Sequence, residues 1–183
     1  MNTTTITKAK WFWAWQDDKE EAWLRSMAQQ GWHLSRPGLF GQYTFSVGEP
    51  REMVYRLDFI QSNKRTDDYF QLFRDAGWEY VGEMGGWQYW RKEVKAGAAP
   101  EIFTDVESKI QKYQRLLGFL AIVFVPVALG VFNVRNLFGT PLIPGHWIEW
   151  VFTGIAFLIL AVFIMYIFIF IQLWIRIRQL KRL

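Results

Sequence analysis

Two stretches near the C-terminal end, residues 116–134 and 150–171, contain no Asp, Glu, Lys, Arg or His. At a helical rise of about 1.5 Å per residue the first covers roughly 28 Å and the second somewhat more, against a hydrocarbon core of about 30 Å. The second carries fifteen Val, Ile, Leu or Phe side chains between Val151 and Ile171, each favouring insertion by about 0.3–0.6 kcal/mol near the bilayer centre. The pair therefore reads as a transmembrane hairpin and not as the buried hairpin of a soluble domain, since about twenty uninterrupted apolar residues mark a span.

The cations give the hairpin an orientation. Lys109, Lys112 and Arg115 precede the first span, and Arg176, Arg178, Lys181 and Arg182 follow the second, while Arg135 is the only Lys or Arg in the connection 135–149. The positive-inside rule then puts both termini in the cytoplasm. Trp147, Trp150 and Trp174 lie near the ends of the second span, where indole rings favour the headgroup layer.

Charge elsewhere is balanced. Residues 1–100 hold 13 Lys or Arg and 13 Asp or Glu, so the net +4 belongs to the C-terminal part. A neutral N-terminal part argues against nucleic-acid binding, which needs a clustered cationic footprint. The lipid bilayer is the first partner implied, with anionic lipids a secondary contact. The absence of cysteine excludes disulfides, thiolate metal sites and a cysteine nucleophile. The opening residues 1–10 are polar and Thr-rich, without the apolar core of a secretory signal, which predicts that the first domain stays on the side of synthesis.

That domain, residues 1–94, reads as one unit written twice, over about 11–46 and 53–93. Advancing by 46 positions carries Gly31-Trp32 onto Gly77-Trp78, Gln42-Tyr43 onto Gln88-Tyr89, Trp23 onto Tyr69 and Met27 onto Phe73. Each unit reads strand, helix, strand, strand. In the first, residues 11–15 form an aromatic strand, Asp17 or Asp18 caps a helix running to about Gln30, and Gly31 suits a left-handed end with Trp32 against Met27. The strand pair 32–36 with 40–46 follows. In the second, strand 53–59 precedes a helix capped by Asp67 or Asp68, then strands 79–84 and 87–93 joined by a tight Gly85-Gly86 turn. The fold class predicted is α+β: a duplicated β-α-β-β domain with an antiparallel sheet and two helices on one face, followed by the transmembrane hairpin. A linker, 95–103, leads to a juxtamembrane helix, 104–115, begun by a Thr104 and Glu107 capping box; residues 172–183 form a basic tail. Pro126 lies within the first span, where proline is usually structural.

Nineteen aromatic residues fall within residues 1–100, more than one helix-covered face of a small sheet requires. Either they are ordinary core and rim, or a free sheet face needs a ligand, a partner, the bilayer surface or a second copy, making a homo-oligomer one option. Arg56 and Asp58 share one face of an otherwise apolar strand. They are either a structural ion pair or the polar fixing points of an aromatic groove. The candidate ligand- or partner-binding residues are accordingly Trp11, Trp13, Arg56, Asp58, Trp87 and Tyr89.

Chemistry is harder to place. The two histidines, His33 and His146, are separated by the bilayer on this topology, which disfavours a His-based metal site. The acid pairs 17–18 and 67–68 each precede a helix and read as caps. Gly82-x-x-Gly85-Gly86 lies between strands, unlike a nucleotide loop, and no serine elbow or Walker lysine occurs. With no ionisable residue inside either span, an autonomous transporter is disfavoured. No catalytic residue, metal ligand or cofactor is assigned, and an enzyme is not expected.

Lys10-Trp11-Phe12, residues 18–24 (Asp-Lys-Glu-Glu-Ala-Trp-Leu), Gly31-Trp32-His33-Leu34, Tyr55-Arg56-Leu57-Asp58, Gly77-Trp78-Glu79-Tyr80-Val81 and Gly86-Trp87-Gln88-Tyr89 together resemble the bacterial membrane proteins grouped as domain of unknown function 2812. The resemblance covers about residues 8–115 and carries no catalytic residues. It implies a regulatory partner of the PadR type. The duplicated unit is also similar in topology to the GyrI-like small-molecule-binding domains, a likeness of fold alone. The expectation is a membrane-tethered cytoplasmic module that binds a hydrophobic or cationic small molecule or a regulatory protein through an aromatic sheet face. The alternative is an accessory or scaffolding subunit of a larger membrane complex.

Overall fold

The computed structural model describes residues 4–61, 64–94, 106–137 and 147–181. The expected linker at 95–103, Thr104 of the capping box and the centre of the 135–149 connection lie outside them. Among the described residues six strands and four α-helices follow in order: β1 (Thr5–Ala9), α1 (Asp17–Gln29), β2 (Trp32–Pro37), β3 (Gln42–Val47), β4 (Met53–Phe59), α2 (Asp67–Asp75), β5 (Glu79–Met84), β6 (Trp87–Glu93), α3 (Val106–Leu137) and α4 (Trp147–Leu180). The strands form two antiparallel three-stranded sheets, ordered β1-β3-β2 and β4-β6-β5, so the topology repeats as the sequence predicts.

The strands and their registers differ from the sequence reading in three details. The first strand is the β-branched run Thr5–Ala9, paired with β3 from Thr5 opposite Ser46 to Ala9 opposite Gln42. The Trp-rich residues 11–15 lie outside any strand and enter a turn in which the Gln16 amide donates to the Trp13 carbonyl at 2.8 Å. Second, Phe40 leaves the expected strand for a 3-10 turn, Leu39–Gly41, at φ +56°. Third, β2 and β5 align at the 46-residue offset, each with a register break one residue after Leu34 or Tyr80, but β3 and β6 align one residue out. Phe45, opposite Leu34, corresponds to Trp90, opposite Tyr80. The Gln42-Tyr43 and Gln88-Tyr89 identity is thus not a structural equivalence, because the chain from Tyr80 round to its partner Trp90 is one residue shorter than that from Leu34 to its partner Phe45.

The helix ends behave as their glycines require. Gly31 and Gly77 take φ +83° and +78°. After α2, the Trp78 amide donates to the Phe73 carbonyl and Gly77 to Arg74, the paired bonds of a Schellman ending. The two glycines differ in surroundings: a Cβ at Gly31 would sit 2.6 Å from the Gly48 carbonyl oxygen, whereas one at Gly77 meets only the Lys92 side chain at 3.4 Å. Gly31→Ala is therefore expected to cost about 2–4 kcal/mol, left-handed strain plus a backbone clash, and Gly77→Ala about 1 kcal/mol; denaturant midpoints of the two variants test the order.

Aromatic content is explained by a sheet covered on both sides. Met53, Tyr55, Leu57 and Tyr89 face one way and join Leu24, Met27 and Ala28 of α1 and Leu34, Tyr43 and Phe45 of the first sheet in one core. Val54 and Trp90 face the other way and pack on Phe73 and Trp78, with Trp90 stacked on Phe73 at 4.3 Å between ring centres. Each helix thus buries a different face of the β4-β6-β5 sheet, not one shared face as expected, because alternate residues of β4 and β6 are apolar on both sides.

Helices α3 and α4 run 32 and 34 residues, about 48 and 51 Å at 1.5 Å per residue, longer than a hydrocarbon core of about 30 Å. They pack antiparallel, Phe124 stacking on Phe163 at 5.1 Å and Leu116 lying near Leu173. Both are long and apolar enough to cross a membrane, over Lys109–Gly130 and Phe157–Leu180, and only 11% and 6% of those windows is buried. A soluble core helix would be covered by protein. Here Ile122, Val125, Phe157, Leu158 and Ile164 stand exposed instead.

Candidate functional site

The surplus length of α3 and α4 is where the α+β domain is held. Phe59, Ile110, Tyr113, Leu116, Leu173 and Ile177 form an apolar seam between the sheet and the base of the hairpin. Around it, cations of the hairpin meet acids of the domain. Lys112 Nζ donates to Asp17 Oδ2 at 2.5 Å and to the Leu57 carbonyl at 3.2 Å. Tyr113 donates its hydroxyl to Asp17 Oδ1 at 2.7 Å. Arg115 reaches Asp58 at 2.6 Å and the Phe59 carbonyl at 2.9 Å, and Arg176 pairs with Asp18 at 2.9 Å.

Several of these groups meet the outer edge of β4, which among the described residues is not hydrogen-bonded to another strand on that side. An open edge invites pairing with other chains. Here the Leu57 amide donates to Glu21 Oε1 at 2.8 Å, and the Leu57 and Phe59 carbonyls accept from Lys112 and Arg115. Charged side chains from α1 and α3 thus close the edge.

The acids are placed by the pitch of α1. Its buried positions are Asp17, Glu20, Leu24, Met27 and Ala28, one helical face that begins with two carboxylates. Asp17 is not the cap expected of it: Gln16 occupies the N-cap position, its side chain accepting from the Trp13 amide at 3.2 Å and not from the helix, and Asp17 is 5% exposed. At α2 the cap is likewise Thr66, accepting from the Tyr69 amide at 3.4 Å, with Asp67 and Asp68 in the first turn.

Glu20 and Glu21 serve different elements. Glu20 Oε1 accepts from the hydroxyls of Tyr43 at 2.8 Å and Tyr89 at 2.6 Å, joining the two sheets through one oxygen. Burial pushes its carboxyl above the usual range, with the two hydroxyls pulling back. Glu21 pairs with Arg56 at 3.1 Å. Burial, with Asp17 nearby, pushes its carboxyl up to about 7 against the pull of Lys112, Arg56 and the Leu57 amide. Asp58 is also raised by burial, opposed chiefly by Arg115.

The Glu21 shift carries a sign. A carboxyl whose folded pKa exceeds its unfolded value of 4.5 keeps the folded state more protonated, so stability is highest at low pH and falls as pH rises toward 7. The expected loss is roughly 3 kcal/mol. Melting curves from about pH 5 to about pH 8 should show Glu21→Gln losing most of this slope relative to the parent chain.

Between α1, the β4 edge and the base of α3 and α4 lies a cleft of about 430 Å³. Asp17, Asp18 and Glu21 line it with Arg25, Arg56, Lys109, Lys112 and Arg176, beside Tyr55 and Tyr113. Of the six residues singled out by sequence, Arg56 lines this cleft, while Asp58 is 2% exposed and shared between Arg115 and the Tyr69 hydroxyl. Trp87 is half-buried against Phe59, 6.0 Å from Lys112 Nζ, and Tyr89 lies wholly inside on Glu20. Trp11 and Trp13 lie elsewhere and are exposed, Trp13 meeting Phe168 of α4 and Trp11 packing on Trp13. Asp17, Glu20, Glu21, Lys112, Tyr113 and Arg176 were not singled out. The signal available for Asp17 and Glu20 was their place on the same helical face as Leu24 and Met27.

Fold and site define a duplicated βαββ domain clamped by buried charge pairs onto an apolar helical hairpin. The chain belongs to the family described as protein of unknown function (DUF2812), whose model matches residues 16–125. The matched span contains both partners of the Asp17–Lys112 and Asp58–Arg115 pairs. No curated protein and no solved structure shows a significant match to it.

Proposed function

We propose that this protein is a membrane-anchored cytoplasmic binding module, with the cleft between domain and hairpin as its recognition site. The observation that carries the reading is the cleft's lining: side chains from α1, β4, α3 and α4 meet there, so an occupant touches the domain and the membrane helices at once. Binding that favours one arrangement of the charge pairs then shifts how the domain sits on the hairpin. Both termini face the cytoplasm in this reading, on the positive-inside argument.

The aromatic sheet face is not the surface we favour, since α1 and α2 cover the two faces of the β4-β6-β5 sheet. The cleft carries both signs of charge, which suits a small zwitterionic or anionic solute, or a charged segment of a regulatory protein, better than a hydrophobic cation. The test is titration of the full-length protein in lipid nanodiscs with zwitterions, dicarboxylates and hydrophobic cations, read by tryptophan fluorescence and thermal shift. A saturable response to the first two classes, weakened at least tenfold by Asp18→Asn with Glu21→Gln, supports the proposal. No response from any class, with a larger membrane complex co-purifying in mild detergent, would replace it by an accessory-subunit role.

A further inference from the structure

Beyond the cleft, the most conspicuous unexplained feature is an apolar ledge beside α4. Trp11 packs edge-on against Trp13 at 5.9 Å, Trp13 stacks on Trp15 at 5.2 Å, and both Trp13 and Trp15 meet Phe168 of α4, at 6.5 and 5.7 Å. Phe168 lies eight residues before Arg176, about 12 Å toward the apolar part of the helix. The tryptophans therefore flank α4 on the lipid side of the cations that clamp the domain.

The ledge continues into the turn after β2. The Lys10 amide donates to the Gly41 carbonyl at 2.7 Å, which fixes Leu39 and Phe40 next to Trp11. Gly41 permits that approach, since a Cβ there would lie 2.5 Å from the Lys10 carbonyl oxygen. Phe40 is 82% exposed, Leu39 65% and Trp11 60%. Phe40 also holds φ +56°, a conformation that a bulky residue rarely keeps and that persists only where the surroundings enforce it.

We infer that Leu39, Phe40, Trp11 and Trp13 insert into the inner leaflet of the bilayer that the hairpin crosses, giving the domain a second membrane contact. The occupant follows from continuity: the ledge joins the apolar surface of α4 through Phe168, so whatever covers Phe168, Ile164 and Ile171 extends over Trp13 and Trp11. Its composition is that of interfacial segments, indoles and long apolar side chains, with the cation Lys10 next to Trp11 in the chain. The inference rests on the reading of α3 and α4 as membrane-spanning. Held at two places, the domain is fixed in tilt as well as in position.

The chain lacks cysteine, so single labels are simple to place. Nitroxides at Leu39→Cys and, separately, Phe40→Cys are compared with Ile164→Cys on α4 and Leu72→Cys on the exposed side of α2, in the full-length protein in phosphatidylethanolamine and phosphatidylglycerol vesicles. The Leu39 and Phe40 labels should be open to oxygen and shielded from a water-soluble nickel chelate, at a depth of about 5–10 Å. Ile164 should read deeper and Leu72 aqueous. With the label at Leu39, Trp11→Ser with Phe40→Gly should raise nickel access several-fold. Aqueous labels at Leu39 and Phe40 beside a deep Ile164 overturn the inference and leave the hairpin intact. Shielding from both reagents, the mark of burial against a second copy, overturns it as well, and an aqueous Ile164 removes the spanning reading and this inference together.

Discussion

Asp17→Ala should lower the stability of the full-length protein by about 3–5 kcal/mol, the usual consequence of removing one member of a buried ion pair. The carboxylate holds Lys112 through one oxygen and Tyr113 through the other, and Asp17 and Lys112 are both 5% exposed. Its loss deprives a buried ammonium of its counter-ion, leaving it the Leu57 carbonyl, and a buried hydroxyl of the carboxylate that accepts from it, a penalty larger than the net worth of the contact. Lys112→Met should be costly for the converse reason. The double variant, Asp17→Ala with Lys112→Met, should cost clearly less than the sum, because no charge is then stranded. Chemical denaturation in detergent measures all three, and strict additivity would contradict the clamp.

Glu20→Ala should cost about 2–5 kcal/mol, since the hydroxyls of Tyr43 and Tyr89 both lose the oxygen they share inside the core. Unlike Asp17, Glu20 joins the two sheets and not the domain to the hairpin, so its loss should loosen the duplicated domain. Hydrogen exchange separates the effects: Glu20→Ala should deprotect amides of β3 and β6, and Asp17→Ala those around α1 and the β4 edge. Glu20→Gln keeps an acceptor and should cost less than half as much as alanine. An equal loss for Gln and Ala would mean that the negative charge, not the hydrogen bonding, is what the tyrosines require.

Local features were legible in the chain. Strands 53–59, 79–84 and 87–93 fall at the expected bounds, because alternation and the Gly85-Gly86 turn act over a few residues. Gly31 and Gly77 end their helices as expected, since the left-handed conformation is demanded by the adjoining backbone. The first strand was misplaced because aromatic richness in residues 11–15 resembles a strand, while the weaker Thr5–Ala9 run wins by pairing with β3, a partner distant in sequence. The site was less visible. Asp17 beside Asp18 at a helix start has the signature of a cap, and Lys112 and Arg115 have that of membrane orientation. Nothing along the chain indicates that these groups meet across about 95 residues.

By itself the sequence determined the parts: a doubled β-α-β-β unit and two helices long and apolar enough to cross a membrane, since periodicity, turn chemistry and hydropathy are properties of neighbouring residues. Only the tertiary structure decided that α1 and α2 cover opposite faces of one sheet, which hides most of the aromatic surplus, and that the flanking cations grip acids on α1 and β4. The reason is physical. A charge beside a membrane helix is stable either hydrated or paired in a buried seam, and the choice depends on what the fold brings within about 3 Å of it.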